Sequence, residues 1–227
     1  MQARLQPLNS EMKSTAPRYA LYKGDFPADL KFGNVLAIDT EFMGLNVFRD
    51  RLCLLQVYDG SDGGKVHMVQ FERGRFDAPN VKRLMADASK EKMFYYARCD
   101  MRWLGHYLGI IPENVYCLKI ASRIARTYTQ QHDLEDVSRH VLGVKISKEQ
   151  QCTDWGAPHL TPEQLDYACN DVLHLHAMRR RLDEMMKSEG RYEVAEGLFK
   201  CLPHVVRADL AGWAHEDLFA YHVPRPS

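Results

Sequence analysis

From Val35 the chain runs Val-Leu-Ala-Ile and then, without a break, Asp39-Thr-Glu41-Phe42. An uninterrupted aliphatic run is the pattern of a strand buried on both faces. Side chains alternate along a strand, so Asp39 and Glu41 share a face, roughly 7 Å apart. Similar runs recur at Leu52 to Tyr58 and at Lys65 to Phe71, with the turn-forming Asp59-Gly-Ser-Asp-Gly-Gly64 between them. Three such runs in succession predict an antiparallel meander. Beyond it the period lengthens to that of helices. Val81 to Ala86 is predicted helical and Lys92 to Ala97 a fourth strand. The helix after Asp100 carries Met101, Leu104, Tyr107 and Leu108 on one face, with Gly109 as its C-terminal cap. A short strand at Val115 to Cys117 leads into a helix ending near Arg126, and a further helix spans Leu134 to Leu142. Residues 144–160 read as loop, anchored by Trp155. Thr161-Pro-Glu-Gln164 is a capping box with proline in the first turn. It predicts one long helix to about Lys187, followed by another over Arg191 to Cys201. Strands first, helices afterwards and one α/β alternation between them describe an α/β domain on a mixed sheet of about five strands with flanking helices. Residues 1–18 read as a flexible extension, and residues 19–227 as the domain with its C-terminal helix and tail.

Composition narrows the picture only where it bears on partners. The 227 residues carry 30 Lys plus Arg against 30 Asp plus Glu, so no global basic field grips long nucleic acid. Any such contact has to be local or assisted by bound cations. No run approaches the roughly 20 apolar residues of a membrane span. The polar first residues contain no secretory h-region, so the cytoplasm is the expected location. Six scattered cysteines without a CxxC suit reduced thiols better than a disulfide framework or a zinc site.

The chemistry starts from the paired acids. Two carboxylates at the end of a buried strand repel each other unless a cation lies between them, although the same pair facing water beyond the strand is an ordinary alternative. Three other signals bear on the choice. Asp100 falls at a strand-to-helix junction, where open α/β sheets place functional groups, and where an N-cap aspartate is also common. Tyr167 and Asp171, four apart in the well-capped helix, share a face at the edge of its apolar stripe. Alone, they read equally as a core-edge tyrosine and a solvated aspartate. Lys119, Arg123 and Arg126 form a basic stripe on one helix, fit to hold phosphates or simply to face solvent.

In this order, strand Asp-x-Glu, then Asp at a strand end, then helical Tyr-x-x-x-Asp, the chain resembles the ribonuclease D branch of the 3′–5′ exonucleases. Ile38-Asp-Thr-Glu-Phe42 looks like that family's first motif, and Tyr95-Tyr-Ala-Arg-Cys-Asp100 like its second. The segment from Ile146-Ser-Lys-Glu to Leu165-Asp-Tyr-Ala-Cys-Asn-Asp-Val172 looks like the third with its lead-in. Within the family, Gly44-Leu45, Asp50-Arg-Leu-Cys53, Lys119-Ile-Ala-Ser122, Arg126-Thr-Tyr-Thr129 and Gly212-Trp213 are similar to the short bacterial branch, nano-RNase C. That branch lacks the C-terminal helical domains of the longer enzymes, and this chain is expected to lack them too. Tyr95, Leu118 and Asp133 depart from the family's usual His, Thr or Asp, and Gly, and bear on substrate preference.

The resemblance implies a ribonuclease H-like exonuclease fold and two divalent cations per site, Mg2+ or Mn2+. It makes Asp39 the shared ligand, gives Glu41 and Asp171 to the ion that activates water, and lets Asp100 support the second. Tyr167 would orient the attacking water and assist its deprotonation. Leu45, otherwise an ordinary core leucine, would wedge against terminal bases, while Arg98, Lys119, Arg123 and Arg126 are candidates for phosphate contact. The implied activity is 3′–5′ hydrolysis of short single-stranded RNA, dinucleotides included, to 5′-mononucleotides. The alternatives are an exonuclease acting mainly on DNA and an inactive nucleic-acid-binding module. A ring-like homo-oligomer, with an octamer as one form, is also implied.

Overall fold

Val35–Met43, the strand that carries the acidic pair, lies inside a mixed sheet and not at its edge. The computed structural model describes residues 18–61 and 64–220, so most of the expected N-terminal extension lies outside the described residues. Its strands are β1 (Tyr19–Lys23), β2 (Val35–Met43), β3 (Arg51–Tyr58), β4 (Val66–Gln70), β5 (Glu91–Phe94) and β6 (Val115–Cys117). They line up in the order β1-β4-β3-β2-β5-β6. β2, β3 and β4 form the predicted antiparallel meander, and β5 and β6 add parallel on the other side of β2. The sheet therefore has six strands where about five were expected. The extra one, β1, runs parallel to β4 with Leu21 opposite Met68. Its partner is remote in sequence, and local patterning does not show such a pairing.

The helices are α1 (Pro79–Ala86), α2 (Ala97–Leu108), α3 (Leu118–Ala125), α4 (Leu134–Leu142), α5 (Pro162–Leu173), α6 (Leu175–Ser188) and α7 (Tyr192–Ala208). Gly109 and Gly143 end α2 and α4 in the left-handed conformation, as their positions suggested. The capping box holds: Thr161 Oγ1 accepts from the Gln164 amide, and the Gln164 side chain accepts from the Thr161 amide at 2.9 Å. The long helix expected from it is two helices. The backbone breaks at His174 and turns α6 onto α3 and α4, leaving α5 packed over β2, β3 and β4. No proline or glycine marks the break. α7 outruns its expected end at Cys201 by two turns despite Pro203, then widens into a π turn at Asp209–Trp213, kinked at Gly212.

Two helices flank β2 at its acidic end. Thr40 and Phe42 face α2, where Phe42 stacks on Trp103 with ring centroids 4.4 Å apart. Asp39 and Glu41 face the other way, towards α5, as strand alternation requires. A register shift between Glu41 and Phe42 bends the strand beyond the acids, a position where bulges commonly re-aim side chains.

Candidate active site

Asp39, Glu41 and Asp171 each bring a carboxylate oxygen within 4.8 Å of the others. β2 supplies the first two. Asp171 comes from the last turn of α5, whose Ala168, Cys169 and Val172 are buried and fix the helix against the sheet. Asp100 approaches from α2. It is not that helix's N-cap, which is Tyr96, but lies one turn inside, 4% exposed, accepting a 2.7 Å hydrogen bond from Thr40 Oγ1. Thr40 escaped the sequence reading. Its one signal is a hydroxyl on the otherwise apolar α2 face of a buried strand.

Burial and mutual repulsion dominate the electrostatics. Asp39 and Glu41 are raised well above ordinary carboxyl values, first by loss of water and then by the negative charges of their neighbours. Burial likewise pushes Asp100 up to about 7 and Asp171 up to about 8. Only hydrogen bonds oppose this, from Thr40 to Asp100 and from Tyr167 to Asp171. None of the four acids gains a lysine or arginine partner among the described residues. Hard oxygen donors, clustered, buried and uncompensated, fit Mg2+ or Mn2+. No thiol or imidazole belongs to the cluster. Tyr167 is half-buried against Trp155 at 5.9 Å, and burial with Asp171 beside it holds its phenol above the usual range.

The acids line a cleft of about 640 Å³ that also takes in Leu45, Tyr96, Lys119, Lys148 and Cys152. Leu45 is 88% exposed, which removes its reading as a core residue. A rigid turn presents it: Gly44 has φ +87°, and a Cβ there would meet Asp50 Oδ2 at 2.1 Å. Asp50 closes the turn by accepting from the Asn46 amide at 2.9 Å and from Arg49. These bonds hold its carboxyl down to about 2.

The basic stripe divides. Lys119 stays in the cleft, its ammonium 4.0 Å over the Tyr96 ring. Arg123 is exposed and does not line the cleft. Arg126 is 1% exposed, donating to Ser122 Oγ and, at 2.9 Å, to the Gln131 carbonyl. It therefore stitches the end of α3 to the following loop and is closed to phosphate. α3 ends just before Arg126, so the spacing of three no longer keeps that residue on the helix face. Arg98 is also engaged elsewhere, in a two-point pair with the buried Asp209 (2.6 and 2.7 Å) that ties α2 to the end of α7. Tyr95 donates to the His132 carbonyl, Leu118 is core, and Asp133 caps α4. The three departures from the family pattern are thus structurally satisfied.

A mixed sheet flanked by helices, with acids gathered from β2, α2 and α5 around one cleft, is an arrangement fit to hold divalent cations. The chain belongs to the 3′–5′ exonuclease family, which it matches over residues 24–187. It is 30% identical over 157 residues to ribonuclease D of Nitrobacter hamburgensis, an alignment covering 69% of this chain and 40% of that protein. The chain thus spans about two fifths of the length of the curated relatives it matches. Among solved structures, Brucella melitensis NrnC bound to pGG is 40% identical with a TM-score of 0.85, covering 91% of this chain and 100% of that one. The same nuclease with bound Mg2+ is 39% identical with a TM-score of 0.84 over the same shares.

Proposed function

We propose that the chain is a divalent-cation-dependent 3′–5′ exoribonuclease that removes 5′-mononucleotides from the 3′ ends of short RNAs, dinucleotides included. The observation that carries this reading is the convergence of Asp39, Glu41 and Asp171 within 4.8 Å, with Asp100 beside them and no basic partner. NrnC, similar along nearly the whole chain, supports it with its Mg2+ and pGG complexes.

Asp39, Glu41 and Asp171 would hold one cation, and Asp39 with Asp100 a second. Bound there, the cations lower the pKa of water and neutralise charge on the phosphate and the leaving oxygen. The chain's own residues do the rest. Thr40 fixes the Asp100 carboxylate. Tyr167 donates to Asp171 and turns a phenolic lone pair to the attacking water, aligning it with phosphorus as the bond to the 3′-oxygen breaks. Burial and the neighbouring carboxylates hold this phenol above its usual pKa, which keeps its hydroxyl protonated to donate to Asp171 in the cation-free protein. Lys119, braced on Tyr96, faces the scissile strand's phosphates.

The exposed Leu45 sits where a terminal base would stack. Because it is 88% exposed, Leu45→Ala leaves Tm unchanged. It raises KM for short RNA about tenfold, the low end of one lost base contact, with kcat retained. A fallen Tm or an unchanged KM would return Leu45 to a structural role.

The same proposal places the enzyme in the cytoplasm. None of the helices among the described residues is long and apolar enough to cross a membrane. It also includes a homo-oligomer, an octamer in the form the resemblance suggests, for which exposed Val194, Leu198 and Trp213 supply apolar surface. The deciding experiment is a time course on end-labelled RNA and DNA of two to about twenty nucleotides, with Mg2+ and with EDTA. We expect 5′-mononucleotides, Mg2+ dependence and fastest turnover of the shortest RNAs. Preference for long DNA would establish the alternative substrate, and turnover in EDTA would remove the cation chemistry.

A further inference from the structure

Gln56 lies in the middle of β3, fully buried, and neither its amide nitrogen nor its amide oxygen has a hydrogen-bond partner. Burying an amide unpaired costs about 1–3 kcal/mol, so a strand that keeps one has a use for it. The sheet register shows which acid it lies beside. Gln56 is the direct cross-strand partner of Asp39, and the next position on that face, Leu54, is opposite Glu41. The pair precedes the register shift at Glu41 and Phe42, so it belongs to the regular part of the ladder. Directly opposed residues on antiparallel strands share a face, with Cβ atoms about 4.5–5.5 Å apart, within reach of a glutamine side chain. On its other side, Gln56 is opposite Met68 of β4, which offers it nothing better than a weak thioether acceptor. Above lies α5, whose buried Ala168, Cys169 and Val172 carry no amide or carboxylate; its buried Asp171 belongs to the acid cluster and already takes a phenol from Tyr167.

Asp39 has the complementary deficit. Among the described residues, the hydrogen bond that lowers its carboxyl comes from the Thr40 backbone and no side chain adds another, whereas Asp100 has a hydroxyl and Asp171 a phenol. A carboxylate shared between two cations needs its orientation fixed, and ligating carboxylates are ordinarily held by such outer hydrogen bonds.

We infer that Gln56 is the positioning residue for Asp39: its side-chain amide donates to the ionised Asp39 carboxylate once cations occupy the site. This rests on the proposed cation-dependent function. It assigns the unpartnered amide to the loaded state, and explains why a polar side chain sits inside an otherwise apolar stretch, Leu52-Cys-Leu-Leu-Gln-Val57. A merely structural glutamine, or one satisfied by an internal water, makes the opposite forecast for cation affinity.

The test uses the full chain and Mn2+ as probe, comparing wild type with Gln56→Leu and Gln56→Met, two apolar side chains of similar volume. Calorimetric titration gives the Mn2+ Kd, thermal unfolding in EDTA gives the metal-free Tm, and RNA turnover is followed across Mn2+ concentration. We expect a metal-free Tm equal to or above wild type in at least one variant, because no hydrogen bond is lost there. We expect Mn2+ Kd raised about tenfold or more, and turnover recovered in part at high Mn2+. A Kd within twofold of wild type in a folded variant would overturn the inference, as would failure of both variants to fold. Wild type that binds no Mn2+ would instead overturn the proposed function, and this inference with it.

Discussion

Asp39→Asn is expected to cut RNA turnover by about 10³-fold while raising the Tm of the metal-free protein. The two halves share one cause. Asp39 sits among three other acids with its carboxyl raised by burial and by their charge, so in the absence of cations its ionisation opposes folding. An asparagine keeps the shape and removes the charge, which relieves repulsion on Glu41, Asp100 and Asp171 together. Functional sites commonly hold such strain, and relieving it gives about 0.5–2 kcal/mol. Activity moves the other way because an amide is a poor ligand for a hard cation. Several kcal/mol of transition-state stabilisation then disappear, which is the thousandfold loss at about 1.4 kcal/mol per decade. Steady-state turnover and thermal unfolding in EDTA at pH 8, on wild type and variant, measure both. A Tm that falls with activity would mean that Asp39 contributes to the fold.

The second large effect is on stability against pH. Burial holds the folded-state values of Asp100 at about 7 and Asp171 at about 8, whereas an unfolded aspartate has about 3.8. Between those limits the folded protein binds more protons than the unfolded one, so stability falls as pH rises. Histidines oppose this lower in the range. Burial lowers His67, His174 and His176, and each adds stability as pH climbs towards its unfolded value near 6.5. Above pH 7 that contribution is complete, and the acids are joined towards pH 8.5 by Cys53, Cys99, Cys117 and Cys169, whose thiols burial raises and which lower stability in the same direction. From pH 7 to 8.5, Asp171 by itself removes about 1 kcal/mol, a fall of about 2–4 °C in the Tm of protein in EDTA. Saturating Mg2+ replaces repulsion with ligation, so its stabilising effect grows across the same interval. A Tm in EDTA that is flat or rising from pH 7 to 8.5 would show that the acids are not strained in this way.

What was legible in the sequence was local or strongly periodic. The strand at Val35, the meander after it, the capping box at Thr161 and the glycine caps at Gly109 and Gly143 are set by neighbours within a few residues. The order of acids survived because alternation and the four-residue helical step fix which side chains share a face. The misses have physical reasons. β1 pairs with a strand far along the chain, and a short edge strand carries little pattern of its own. The break at His174 comes from packing of α6 against α3 and α4, with no breaker residue to announce it. Arg126 and Arg98 look like ordinary surface cations in sequence. Only the end of α3 turns Arg126 inward, and only Asp209, over a hundred residues away, claims Arg98.

The convergence of β2, α2 and α5 has a consequence for how the molecule comes into being. None of the three segments holds enough ligands to retain a cation by itself, and they are separated by most of the domain. A growing chain that has made β2 and α2 but not yet α5 lacks Asp171 and cannot complete the cluster. Cations bound there would join segments far apart in sequence and act as a clasp on the finished fold.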